Sequence, residues 1–151
     1  MARNGNDDAS PLGGSAIHLL HRAGQCAGDL FAEEVVASGL TPRQFAVLLA
    51  ISNEEGLSQT DLVERTGIDR STLADIIRRL LKKGLVNRRR TKSDARVYSV
   101  RLSDKGRQAL ADARPAADQA EERLLAALDP SSRHAFLESL DRIVRAVSPD
   151  V

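Results

Sequence analysis

The sequence predicts a mainly α-helical chain of six helices with one small β-hairpin, and three observations carry that prediction. Helix starts are marked by readable caps at Thr41, Ser58, Asp69 and Asp129. Apolar residues recur at helical spacing before residue 84 and after residue 103. Between those points the period falls to two. At 151 residues the chain fits one domain able to bury a core without disulfides or metal.

The first helix is expected at about residues 16 to 37. With Ile17 as origin at about 100° per residue, Leu19, Leu20, Ala23, Gly24, Ala27, Leu30, Phe31 and Val35 fill one half of the wheel. His18, Arg22, Gln25, Asp29 and Glu33 fill the other, and Ser38-Gly39 closes the helix. "LTPRQFAVLLAI" opens the second helix, with Thr41 as cap, Pro42 at the first helical position and Gln44 completing a capping box. Its run from Phe45 to Ile51 must be core. The third helix starts at Ser58, has Asp61 near the positive end of its dipole and stops at Gly67. Asp69 caps the fourth, which buries Leu73, Ile76 or Ile77, Leu80 and Leu81 and ends at Lys82-Lys83-Gly84. Two short helices joined by a tight glycine turn make a helix-turn-helix.

"LVNRRR" and "RVYSVRL" then read as strands around a "TKSDA" turn, with Val97, Ser99 and Arg101 alternating against Tyr98, Val100 and Leu102. A hairpin in that place is a wing. From Ser103 the pattern is helical to about Leu128, with a kink expected at Pro115. Asp129-Pro130 caps a last helix carrying Leu137, Leu140, Ile143, Val144 and Val147. Residues 1–15, rich in Gly, Asn, Asp and Ser, read as a flexible tail, and residues 41–102 as the winged helix-turn-helix region.

Charge is segregated along the chain. Residues 65–107 hold fourteen Lys and Arg against four Asp, a net of +10, while the remainder is −9 and the whole only +1. A solvated surface explains the solubility of such residues but not their sorting by sign. A basic face for a polyanion does. Five of the cations, Arg88, Arg89, Arg90, Lys92 and Arg96, fall within the ten residues 87–96.

Other classes find little support. The single cysteine, Cys26, excludes an intramolecular disulfide and a cysteine-based zinc cluster. No metal or cofactor is expected. Neither a signal-peptide stretch nor a membrane span is visible, so a cytoplasmic protein without a membrane partner is expected. His18, His21 and His134 form no catalytic arrangement with a serine or paired carboxylates, there is no glycine-rich phosphate loop, and catalysis is not expected.

"DARVYSVRLSDKG" carries the most specific motif. With "LTPRQFAVLLAI" and "RSTLADIIRRLLKKGLV" it resembles the MarR family of winged-helix transcriptional regulators over about residues 16 to 147. Asp94, Arg96, Val100, Leu102, Ser103 and Gly106 occupy the places of that family's wing pattern. The resemblance implies that Arg96 enters the minor groove, where a planar and permanently charged guanidinium suits the concentrated negative potential. It implies that Asp94 pairs within the wing. Arg88, Arg90 and Lys92 would then touch phosphates, setting affinity rather than sequence.

Base reading is expected from Arg70, Ser71, Thr72, Asp75 and Arg78 on the exposed start of the fourth helix. Ser58 and Thr60 are candidate phosphate contacts at a helix N-terminus. Arg79 reads either as a further contact or as a salt-bridge partner for the acidic half. The resemblance further implies a homodimer built from residues 16–40 and 103–151, whose terminal helices hold more Leu, Val and Ile than a wing domain needs. Such a dimer would grip an inverted-repeat operator in double-stranded DNA.

Most of the family resemble repressors released by a small molecule bound among the first, second and fifth helices. His21, Arg22, Gln25, Phe45 and Leu49 are the candidate effector contacts, although Arg22 and Gln25 also fit a solvated stripe and Phe45 and Leu49 also fit the core. "HLLHRAGQCAGDLFAEE" followed by "GLTPRQF" is most similar to regulators of aromatic-acid breakdown, which implies an aromatic acid or its CoA thioester as effector. Two alternatives stand beside this. One is a redox-sensing repressor using Cys26, although peroxide-sensing relatives carry their cysteine near positions 16 to 17 and Cys26 is expected to be buried and structural. A nonspecific nucleoid-type DNA binder would also use a basic wing.

Overall fold

The computed structural model describes residues 11–94 and 96–148. Most of the expected tail (1–10), Ala95 of the wing turn, and 149–151 lie outside the described residues. The elements are α1 (Ala16–Glu34), α2 (Pro42–Asn53), α3 (Gln59–Thr66), α4 (Arg70–Lys82), β1 (Val86–Arg90), β2 (Tyr98–Leu102), α5 (Asp104–Leu125) and α6 (Pro130–Val147). This is the expected six-helix order with a two-stranded antiparallel hairpin between the fourth and fifth helices.

Caps set most of the boundaries. Thr41 Oγ1 accepts from the Gln44 N–H at 3.1 Å while Gln44 Oε1 accepts from the Thr41 N–H at 3.2 Å. α3 closes in the same way with an aspartate: the Ser58 N–H donates to Asp61 Oδ2 at 2.8 Å, and Ser58 Oγ accepts from the Asp61 N–H at 3.1 Å. The Ser58 N–H, and after it the Ser58 hydroxyl, hold the Asp61 carboxyl below its ordinary pKa. α4 ends in a Schellman turn, with Leu85 N–H on Leu80 O at 2.9 Å, Gly84 N–H on Leu81 O at 3.0 Å, and Gly84 at φ 74°.

The core lies between the helix-turn-helix and the base of the wing. Val47 and Leu48 of α2, Leu62 of α3, Leu73, Ile77 and Leu80 of α4, and Val86 and Val100 of the hairpin are fully buried. The hairpin pairs Val86 with Leu102, Arg88 with Val100 and Arg90 with Tyr98, which puts these six on one face. Only the basal part of that face reaches the core. The Val100 N–H also donates to Leu57 O at 2.8 Å, and Ser58 bridges to Ser99, so the chain before α3 is pinned to β2 by a single antiparallel bridge.

Gly106 joins α5 to the hairpin. A Cβ there would stand 1.9 Å from the Leu85 carbonyl oxygen, so only glycine fits. Ser103 caps the helix beside it, donating its hydroxyl to Gly84 O at 2.5 Å and accepting from the Gly106 N–H at 3.0 Å. The Leu-Ser-x-x-Gly spacing is thus a packing joint between wing and α5. At the other end, Arg123 ties α5 to α1 through Glu34 at 2.7 Å and Glu33 at 3.1 Å.

Several expectations need correction. α1 stops at Glu34 and hands over to a 3-10 turn, Val36–Ser38, closed by Gly39 at φ 64°. α5 ends at Leu125, short of Leu128, with Pro115 inside it. Asp129 precedes α6 but its side chain makes no cap bond. Ser99 is buried and Tyr98 exposed, the reverse of simple alternation, because the Leu57–Ser58 segment covers the first and the outer wing leaves the second bare. Ile76 and Ile77 are both buried, whereas Leu81 is half-buried. Cys26 is exposed, since α1 turns its opposite side to the core.

The apolar residues of the terminal helices are exposed as well. Ile17, Leu19 and Leu20 of α1 and Leu137, Ile143, Val144 and Val147 of α6 all face outward, and no residue of α6 is buried.

Candidate nucleic-acid interface

The first turn of α4 is organised by its own cap. Asp69 Oδ1 accepts from the Thr72 N–H at 2.9 Å and the Ser71 hydroxyl at 2.8 Å. Bonds from Thr72, then Ser71, hold the Asp69 carboxyl down to about 2. Arg70 is exposed and has no ion-pair partner among the described residues, while Ser71 is occupied by the cap and Thr72 is half-buried. One turn on, Asp75 pairs with both Arg78 and, at 2.8 Å, Arg79 Nε. Those bonds, Arg78 first, lower the Asp75 carboxyl pKa. Arg79 is therefore a partner for its own helix and not for the acidic half.

Ser58 and Thr60 meet the wing. A groove of about 420 Å³ lies between the start of α3 and the hairpin, lined by Ser58, Gln59, Thr60, Arg88, Arg96 and Tyr98. Ser58 Oγ donates to Asp61 Oδ2 at 2.8 Å, so it serves its cap; Thr60 is exposed. The candidate residues of α4 do not line this groove. Arg78 instead borders a basic hollow with Arg79, Lys82, Lys83, Thr41 and Gln44.

The turn of the wing is held by Thr91 and Asp94. Thr91 Oγ1 donates to Asp94 O at 2.7 Å and accepts from the Asp94 N–H at 3.2 Å. Asp94 Oδ1 accepts from the Arg96 N–H at 2.9 Å and lies 3.8 Å from Arg96 Nε. The Arg96 side chain, 94% exposed, stands outward at the tip, and Lys92 is exposed beside it. Arg90 lies over the Tyr98 ring at 5.6 Å from its centroid and donates from Nε to the Tyr98 hydroxyl at 3.3 Å. The wing is a stiff, cationic finger.

Gln59 and Tyr98 were missed as neighbours of this surface. Gln59 is flanked by Ser58 and Thr60 at a helix start, and Tyr98 faces Arg90 because the hairpin is centred on Asp94, one residue beyond the middle of the TKSDA turn.

The candidate effector contacts fall into two groups. Phe45 and Leu49 pack on the core, with Phe45 tilted against Phe31 at 5.6 Å between centroids. His21, Arg22 and Gln25 are exposed on α1. The cavity between α1, α2 and α5, about 270 Å³, is lined by other residues: Gly24, Ala27, Gly28, Phe31, Ala117 and Leu124 among them. Among the described residues no three His, Cys, Asp or Glu gather as metal ligands, and no helix is long and apolar enough to cross a membrane.

A helix-turn-helix with a cationic hairpin behind it defines a winged-helix DNA-binding protein. The chain belongs to the MarR family of transcriptional regulators: that family's model matches residues 38–97. A Thauera aromatica protein named as a putative transcriptional regulatory protein for the hcr operon is 32% identical over 138 residues, 90% of this chain and 82% of that one. The chain spans 55% of another curated relative, which is longer. Among solved structures, the PcaV regulator of Streptomyces coelicolor with its natural ligand is 30% identical, with a TM-score of 0.85 over 97% of this chain and 99% of that one. The repressor CouR bound to a 23-mer DNA duplex is 34% identical, with a TM-score of 0.83 over 90% and 96% of the two chains. CouR has also been solved with p-coumaroyl-CoA.

Proposed function

We propose that this protein is a homodimeric, sequence-specific repressor that leaves an inverted-repeat operator when an aromatic acid or its CoA thioester binds. The observation that carries the reading is the placing of the +10 segment: α4, the wing and the start of α3 present exposed Arg70, Arg88, Lys92 and Arg96 on a frame like that of DNA-bound CouR. α4 would lie in the major groove, with Arg70 and Arg78 reading guanine and Thr72 touching a thymine methyl or phosphate. Arg96 would enter the minor groove while Arg88, Arg90, Lys92, Ser58 and Thr60 hold phosphates.

Dimerisation explains the bare apolar faces of α1 and α6, which a monomer would leave in water. Two-fold symmetry then sets two copies of α4 about 10 bp apart.

The effector reading rests on the α1–α2–α5 cavity. Its lining, small and apolar except for Glu121, leaves room for an aromatic ring. His21 stands on the same face of α1 as Gly24 and Gly28, at i, i+3 and i+7, and Gln25 follows His21 by four. In this reading an imidazole and an amide would stand near the mouth, with Arg22 a step round the helix, to meet a carboxylate. A CoA thioester would extend outward from it.

The test is sedimentation of the protein on an operator duplex over a range of salt. Two protomers per duplex, a log–log salt slope of about −9 for five phosphates per protomer, and release by an aromatic acid or acyl-CoA are expected. A monomer on DNA, or release by none of a broad aromatic panel, would overturn the corresponding half of the reading.

A further inference from the structure

We propose that the hollow between the end of α2, β2 and the first half of α5 is a second small-molecule site, one that takes a carboxylate-bearing ligand with a short apolar body. It shares no residue with the α1–α2–α5 cavity and does not depend on the effector reading. Its volume, about 460 Å³, is in the range of small-molecule sites. The floor is apolar, formed by Ile51, Leu102 and Leu110, all buried. Around it stand Arg101, Arg107 and Arg114.

Several arginines elsewhere in the chain are committed to a carboxylate at short range. Arg65, Arg79, Arg123, Arg133 and Arg145 each hold a carboxylate at 2.7 to 2.9 Å. Arg101 and Arg114 have no ion-pair partner among the described residues, and Arg107 reaches only Asp104, at 3.2 Å, an aspartate that is itself fully exposed. One carboxylate, Glu55, borders the hollow. With Glu55 and Asp104 counted against the three guanidinium groups, one positive charge is left over, which suits a monoanion.

Position reinforces this. Arg107, Leu110 and Arg114 recur at i, i+3 and i+7 on α5, so two cations flank one apolar side chain on a single helix face. Arg101 approaches from the end of β2. A carboxylate can be gripped by a guanidinium fork in two parallel hydrogen bonds, and the ring or chain behind it can lie on the apolar floor.

The experiment is calorimetric titration of the full chain with benzoate and with benzyl alcohol, its neutral counterpart. Wild type and Gly28→Leu, which fills the α1–α2–α5 cavity, should bind benzoate alike at this site, while Arg101→Gln/Arg114→Gln should bind it at least about tenfold more weakly. Benzyl alcohol should not saturate. In the wild-type chain, benzoate should also shift the Nε–Hε resonances of Arg101 and Arg114, a readout that needs no variant to fold. Undiminished binding by the double variant, loss of all benzoate binding in Gly28→Leu, equal binding of benzyl alcohol, or unmoved arginine resonances would each overturn the proposal. Failure of the effector reading would look different: Gly28→Leu would still release DNA normally with its aromatic effector.

Discussion

Asp75 pairs with both Arg78 and Arg79 on α4, and its carboxylate offsets one of their two positive charges in the free protein. Asp75→Asn should therefore strengthen binding to random duplex, steepen the salt slope by about 1 per protomer, and reduce discrimination against scrambled operators, all measurable by anisotropy. Arg96→Ala should weaken operator binding about tenfold and flatten the slope by about the same unit. Asp69 gives a pH prediction. Its folded pKa, about 2, is depressed, so its contribution to stability is complete above about pH 4 and lost as pH falls towards 2. Asp69→Asn keeps an acceptor for the Thr72 N–H and should remove that part of the acid sensitivity, seen as a smaller drop in Tm between pH 4 and 2 than in wild type. The residues at these positions were legible because caps and hairpin turns act over three or four residues. The double pairing of Asp75 was not read, although i, i+3 and i, i+4 spacing puts both arginines within its reach.

At the scale of elements, the boundaries that held are those with a local cause: the capping box of Thr41 and Gln44 and the glycine stops of α3 and α4. Those that shifted depend on contacts distant in sequence. Ser99 is buried by Leu57–Ser58, forty residues earlier, and no strand alternation can announce that. Gly106 belongs to both kinds. Its place in the motif was visible, but its cause, the Leu85 carbonyl against α5, appears only in the fold. Gly106→Ala should destabilise the protein by about 1–3 kcal/mol through overpacking against backbone, measurable by denaturant unfolding, and should loosen the wing together with α5.

For the whole molecule, the polarity of charge and the surplus of apolar residues at both ends were legible in composition alone. Where the proposed effector contacts lie was less so, because helix periodicity gives a face but not its neighbour: His21, Arg22 and Gln25 are exposed while Gly24 and Gly28 line the α1–α2–α5 cavity. Substituting Leu137→Asp and Val144→Asp on α6 should yield folded monomers, seen by sedimentation, with a salt slope near half that of wild type and much weaker operator binding. The most direct measurement of the central claim is selection of bound duplexes from a random library by the purified protein. Enrichment of an inverted repeat with half-sites about 10 bp apart is the predicted result. Strong binding without any enriched repeat would contradict it, and would make the basic face a nonspecific grip on the DNA backbone.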